Sequence, residues 1–314
     1  MERFNTKFFH LQKLSEGVFA AIANPGKGAW SNAGFIDLGD ELLVFDSFST
    51  PSAAQELRDQ AERMTGKKVK YLINSHFHGD HVFGNQVFID TTIISTSLTR
   101  KLVKEQNVIH DVEKEQEEMS QVVQALKNQI EKTTDGVLKT SMINQYQEMS
   151  KVLEAVPYLT MVSPNLIFEN FLVIHGSKRS VELHCYGGGH SPSDCFLYLP
   201  EEKISFMGDI VTEELHLPIF NPEEFISILR KVKQVHIDMV IPGHGNVGKM
   251  QLCDILIDYL SLLIEKAKEA CETGISLEEF ISTFSTPIEY KNWRGHNGIK
   301  RNLSTVYNFY KQTI

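Results

Sequence analysis

Three histidines and an aspartate are packed into six residues, His76-Phe77-His78-Gly79-Asp80-His81, directly behind the apolar run 69–73. A buried strand that opens into such a cluster must end where several imidazoles can sit side by side. In extended chain, residues 76 and 78 point the same way, so both can reach one ion. Asp80 and His81 fall where the chain turns and face a neighbouring position. Imidazole nitrogen suits zinc and other late transition metals. The whole chain has only 12 histidines in 314 residues, so three in six is a concentration that packing does not demand.

Three further apolar runs end in residues of the same kind. Gly187-Gly188-Gly189-His190 follows the run 181–186, Gly208-Asp209 follows 204–207, and Pro242-Gly243-His244-Gly245 follows 239–241. Each alone is weak, because a His after glycines and a Gly-Asp turn are both common. Together they put His or Asp at four strand exits, and ligands of open α/β sheets gather outside the carboxyl ends of strands. His216 lies seven residues beyond Asp209 in an apparent loop, 213–220. It reads either as a pocket residue or as a solvated loop histidine, and the mobility of loops favours the second. His10, His110, His175, His184, His236 and His296 show no ligand spacing and read as surface or packing residues. Trp30, in the loop 25–30, reads equally as a cover over the site and as a partly buried core residue.

The rest of the chain predicts an α/β fold. Apolar runs at 18–23, 33–38 and 41–46 are separated by Gly, Asn and Pro. A helix follows, with Ser49, Thr50 and Ser52 as N-cap oxygens, Pro51 in the first turn, and Ala53, Ala54, Leu57, Ala61 and Met64 at helical spacing before Gly66. With 69–73 this makes a strand–helix–strand unit. Residues 97–159 are rich in Glu, Gln, Lys and Met, and their spacing predicts two amphipathic helices broken near 133–136. They read as a lid, as a homodimer surface, or as a helical pair folded on its own apolar stripe. Strands return at 166–168, 171–174, 181–186, 195–199 and 204–207, then a helix at 222–235 and a strand at 239–241. Helices at 249–271, 276–284 and 299–310 follow. The pattern predicts a single domain over 1–314, with a helical insertion at about 97–159 and a helical C-terminal segment at about 249–314.

Several classes are disfavoured. With 40 acidic and 31 basic side chains the net charge is −9 and no basic stripe is visible, so nucleic acid is not an expected partner. The most apolar stretch, 252–264, is interrupted by Asp254 and Asp258, so no membrane span is expected. Residues 1–17 mix Glu2, Arg3, Lys7, Lys13 and Glu16 and contain no secretory h-region. The four cysteines form no CxxC pair, and a reducing cytoplasmic setting is expected. There is no GxxxxGK[ST], GxGxxG or GxSxG, so nucleotide and serine-hydrolase sites have no support.

The ordered set His76, His78, Asp80, His81, then His190, Asp209 and His244, resembles the metallo-β-lactamase superfamily, whose pattern is HxHxDH followed by His, Asp and His. The resemblance implies an αββα sandwich with metals at one edge. It implies one site of His76, His78 and His190, a second of Asp80, His81 and His244, and Asp209 bridging both. Asp46, after 42–45, resembles the family aspartate that steadies a ligand from behind; Asn74 and Ser75 read equally as such supports and as turn caps. Zinc β-lactamases often carry cysteine where Asp209 stands, and a lysine a few residues later that 209–214 lacks. The pattern is therefore more similar to the glyoxalase II and quinoprotein-relay-like branches. The implied activity is dinuclear zinc hydrolysis, with two Zn²⁺ (or iron or manganese). A metal-bridging hydroxide, oriented by Asp80, would cleave an ester, thioester, lactone or amide (lactam) bond in a small molecule. An iron-dependent oxidoreductase of the sulfur dioxygenase kind and a phosphodiesterase are the alternatives.

Overall fold

The computed structural model describes residues 2–295 and 298–312. Thirteen strands form two sheets among these residues. The first runs in chain order through β1 (Arg3–Asn5), β2 (Phe9–Ser15), β3 (Val18–Ala23), β4 (Ala33–Asp37), β5 (Leu42–Phe45), β6 (Val69–Ile73), β7 (Thr92–Thr96) and β8 (Leu166–Phe168). It is antiparallel from β1 to β5 and parallel from β5 to β8. The second has the order β13-β12-β11-β10-β9, from β9 (Phe171–His175), β10 (Ser180–Gly187), β11 (Asp194–Leu199), β12 (Ile204–Phe206) and β13 (Met239–Ile241). Only its β12–β13 pair is parallel.

The two sheets face each other. Ile36, Leu43, Phe45 and Ile73 of the first pack with Val181, Leu183, Leu197, Phe206 and Ile241 of the second in one buried cluster. Strands covered on both faces need continuous apolar runs, and β5 (LLVF) and β11 (DCFLYL) are buried at every position. Gly34 of β4 lets the sheets close, because a Cβ there would lie 2.2 Å from the Phe206 ring.

Helices cover the outer faces. Helix α1 (Pro51–Thr65) starts at Thr50, whose hydroxyl accepts the Ala53 N–H, and ends at Gly66 in the left-handed region at φ 71°. Its Ala53, Ala54, Leu57 and Ala61 pack on Phe35, Leu42 and Val44. A short helix α2 (Gly79–Val82) carries Asp80 and His81. Helices α3 (Ser97–Gln106), α4 (Val112–Lys132) and α5 (Gly136–Ala155) follow, then α6 (Pro222–Val232), α7 (Gln251–Glu272), α8 (Leu277–Thr283) and α9 (Gly298–Lys311). Residues of α6, α7 and α9, among them Leu229, Leu260 and Val306, bury against Phe196 and Val240 of the second sheet. The layers are therefore α, β, β and α. Among the described residues no helix is long and apolar enough to cross a membrane.

Segment 97–159 contains three helices rather than two, because α3 packs separately beside β7 and β8. Strands β1, β2 and β7 have no counterpart in the sequence expectation. The break between helices α4 and α5 falls at 133–135, as the spacing predicts, with Asp135 capping α5 by accepting the Leu138 N–H.

Candidate metal centre and pocket

Five strand exits meet at one edge of the sandwich. Asp46 follows β5, 74–81 follow β6, His190 follows β10, Asp209 follows β12 and His244 follows β13. The donor atoms of His76, His78, His190 and Asp209 lie within 4.8 Å of one another, and so, separately, do those of Asp80, His81 and His244. In the first group His78 Nδ1 is 3.0 Å from His76 Nε2 and 2.9 Å from His190 Nε2. In the second, His244 Nε2 is 3.2 Å from Asp80 Oδ2. Asp209 stands between them. Its Oδ2 lies 3.3 Å from His190 Nε2, and its Oδ1 lies 3.3 Å from His81 Nε2 and 3.5 Å from His244 Nε2.

The rear nitrogens are engaged in a way that turns the front ones inward. His190 Nδ1–H donates to the Pro218 carbonyl at 2.9 Å and His244 Nδ1–H to the Trp30 carbonyl at 3.1 Å. A carbonyl can only accept, so both rings carry a proton on Nδ1 and turn Nε2 toward the other donor atoms. His81 Nδ1–H donates to Asp46 Oδ2 at 2.8 Å. His76 Nδ1 meets Ser75 Oγ at 3.0 Å, and that hydroxyl donates to Asp46 Oδ2 at 2.8 Å. Asp46 thus supports one histidine in each group, and Ser75 is a relay rather than a turn cap. Asn74 pairs its amide with that of Asn85 and touches no ring.

The donor set fits cations. His81 Nε2 and Asp209 Oδ1 are buried with no hydrogen-bond partner, an arrangement that proteins seldom tolerate without a ligand. Burial drives His76 well below its ordinary pKa and His78 down to about 4, so their lone pairs are free. Burial works the same way on His244, but the carboxylates of Asp209 and Asp80 outweigh it and hold this ring up to about 9. His81 is raised for the same reason, against burial, by Asp209, Asp80 and Asp46. The second group therefore calls for positive charge among its buried carboxylates.

A pocket of about 250 Å³ opens over both groups. His78, Asp80, His190, Asp209 and His244 line it. So do Trp30, Leu215, His216 and Leu217, Ser141, Asn144 and Gln145 of α5, and Arg294 and Arg301. Helix α5 is thus a wall of the pocket. Its buried Glu148 accepts the N–H groups of Gly26 and Gly28 at 2.7 and 2.8 Å, tying α5 to the Trp30 loop. That loop touches both groups: Ser31 Oγ donates to the Asp80 carbonyl, and Asn32 Nδ2 to the Pro242 and Gly245 carbonyls.

His216 departs from expectation. It is 5% exposed, its Nδ1 lies 2.9 Å from the Tyr259 hydroxyl, and Trp293 packs beside it. Burial lowers its pKa to about 4, so the ring is neutral. The loop that carries it is pinned by tertiary contacts that its local sequence does not announce. Trp30 is half-buried, with φ 65°, and lines the pocket. Of the six histidines without ligand spacing, His184 stacks on Phe196, His110, His175 and His236 are exposed and His10 is half-buried. His296 lies outside the described residues.

Sequence reasoning missed Asp194, Glu148, Arg294 and Arg301. Asp194 accepts the N–H groups of Gly189, His190 and Ser191 and the Ser191 hydroxyl, which fixes the loop that aims His190. Glu148 did leave a signal: an acid four residues before Val152 sits on the buried side of α5. The arginines left none.

The family model described as the metallo-beta-lactamase superfamily matches residues 30–244. The chain belongs to the metallo-β-lactamase superfamily. The αββα layers are those the sequence resemblance implied. Among solved structures, it is similar to a stereoselective inverting sec-alkylsulfatase from Pseudomonas sp., with a TM-score of 0.70 and 18% identity. That match covers 96% of this chain and 50% of the sulfatase, so the chain spans about half the length of that relative. It is also similar to a metallo-beta-lactamase from Pontibacter korlensis, with a TM-score of 0.55 and 15% identity over 83% of this chain and 98% of that one. At such identities these likenesses concern the fold of this superfamily member alone.

Proposed function

We propose that this protein is a dinuclear zinc hydrolase that cleaves an ester-like, thioester, lactone or amide bond in a small molecule. The observation that carries this reading is Asp209, which turns one carboxylate oxygen to each of two donor groups. In this reading His76, His78 and His190 would hold one ion and Asp80, His81 and His244 the other, with Asp209 between the two groups. When bound, such a pair supplies an ionised water at neutral pH and a Lewis acid for the substrate oxygen. The chain does the rest. The Nδ1–H bonds to Asp46, Pro218 and Trp30 keep three of the rings aimed inward. Asp80 keeps 21% of its side chain exposed beside the pocket, where it takes up a proton and hands it to the leaving group. Trp30, His216 and α5 limit water around the substrate. The pocket volume of about 250 Å³ and the net charge of −9 support a small substrate rather than a nucleic acid. We read the chain as one functional unit because the pocket draws on strand exits, α5 and the C-terminal segment together.

The test is metal analysis of the purified protein together with a panel of lactams, lactones, thioesters, phosphodiesters and, in view of the sulfatase likeness, a sec-alkyl sulfate. Zinc at two ions per chain with turnover of a panel member is the expected result. Stoichiometric iron with oxygen consumption would sink the hydrolase reading in favour of an oxidoreductase. His76→Ala and Asp80→Ala are expected to abolish turnover and lower metal content; a His76→Ala variant that retains both ions contradicts the ligand assignment.

A further inference from the structure

The pocket is lined by charges of both signs. Asp80 and Asp209 line it, and so do Arg294 and Arg301. Arg294 Nη2 donates to the Glu213 carbonyl at 2.9 Å and Arg301 Nη2 to the His216 carbonyl at 2.8 Å. Both anchors are neutral. Among the described residues, neither guanidinium has a carboxylate within the 4.0 Å of an ion pair. Each offers five N–H donors and cannot shed its charge. Arg294 is half-buried. Arg301 stays accessible as a residue, yet burial around the guanidinium lowers its pKa, as it does for Arg294. Glu213 and Glu214 act on the Arg294 charge without pairing with it, so that cation is offset only in part, and an anion in the pocket would complete the compensation.

Neighbouring groups agree. Ser141 Oγ accepts the Gly295 N–H at 2.8 Å, which leaves its own O–H free to donate. The Asn144 amide oxygen is buried without a partner, so turning the amide over would offer its NH₂ instead. Arg294 and Arg301 both lie beyond residues 30–244, outside the stretch the family model matches. The feature therefore belongs to this chain's own C-terminal segment.

We propose that Arg294 and Arg301, with Ser141, form an oxyanion-binding subsite, and that the substrate is a small molecule bearing a sulfate, phosphate or carboxylate group. Where its scissile bond lies rests on the hydrolase reading above; the anion binding does not. Guanidinium forks match the paired oxygens of such groups.

The experiment uses the full chain in two states. First, sulfate, phosphate and acetate are titrated into chelator-treated protein at constant ionic strength, followed by calorimetry. Wild type should bind at least one of them, and Arg294→Gln and Arg301→Gln should each bind it about 10- to 100-fold more weakly, the loss of one charge-assisted contact. The order among the three probes tells a tetrahedral group from a planar one. Second, metal-loaded protein is assayed on matched anionic and neutral substrates. KM should rise by a similar factor for the anionic substrate alone, with kcat little changed. If an Arg→Gln variant fails to fold, Arg→Lys and Ser141→Ala carry the same comparison. Wild type that binds none of the probes, or binds them as well as the variants do, overturns the subsite. Anion binding lost in the variants without any hydrolysis would keep the subsite and remove the hydrolase reading; hydrolysis of neutral substrates with no anion binding would do the reverse.

Discussion

Asp46→Asn tests whether one carboxylate supports both donor groups. Asp46 is fully buried and sits at φ 58°, a left-handed conformation that Asp and Asn both tolerate, so the substitution adds no backbone strain. Its Oδ1 accepts the Ser75 N–H, and its Oδ2 accepts His81 Nδ1–H and the Ser75 hydroxyl. All three neighbours are donors. An asparagine must aim its NH₂ at some of them, whichever way the amide is turned. His81 escapes by moving its proton to Nε2, which removes the lone pair it presents beside Asp209. His76 loses its relay through Ser75. Changing such an outer partner costs about 10–100-fold in metal affinity, or ~1.4–2.7 kcal/mol. Because one ring in each group depends on Asp46, both ions should weaken. Metal-free stability should change less. A mispaired buried donor costs ~1–3 kcal/mol, but the variant also no longer buries a charge, and burial is what raises the Asp46 pKa. The assay is chelator competition for each ion, beside thermal unfolding of the metal-free protein. Asp46→Asn that binds both ions as tightly as wild type refutes the reasoning. So does a loss confined to the His76 group, because His81 makes the direct contact.

Three other outcomes are expected. Glu148→Ala strands the Gly26 and Gly28 N–H groups and should lower stability by ~1–3 kcal/mol, with a shift in tryptophan emission as Trp30 loosens; Glu148→Gln, which keeps an acceptor, should fall between. Burial lifts Asp194 to about 6 from 3.8. A raised carboxyl holds its proton more tightly when folded, so its stabilising contribution is complete below 3.8 and is lost as pH rises through about 6. In metal-free protein, wild-type stability relative to Asp194→Asn should therefore drop by ~3 kcal/mol across that window, and a flat difference would exclude it. Gly34→Ala should cost ~1–3 kcal/mol in a denaturant titration, because its Cβ meets Phe206 across the sandwich.

The site and its walls differ in how far they can be read from the chain, for a physical reason. Residues that must converge on one ion need not be close in sequence. Here, however, two residues of each donor group come from one six-residue stretch, because a strand exit followed by a single helical turn can aim several side chains at neighbouring points. The other three stand at strand exits that an apolar run and a glycine mark out. Supports such as Asp46 are legible by the same logic. Other elements lacked that local imprint. Strand β7 reads TIIST, half polar, and becomes a strand because β6 and β8 flank it. Helix α5 shows an apolar stripe, but a stripe does not say what covers it, and Glu148 finds its partners 120 and 122 residues away. His216 looked solvated because the aromatic side chains that bury it, Tyr259 and Trp293, come from distant segments. Arg294 and Arg301 resemble any surface cation until the fold shows that, among the described residues, no carboxylate forms an ion pair with them. Ligation leaves a pattern along the chain, because ligand type and strand exit coincide. Charge compensation leaves none, because it depends on which segments meet. That is why the cluster of donor residues was legible in the sequence while the arginines that line the pocket with it had to come from the structure.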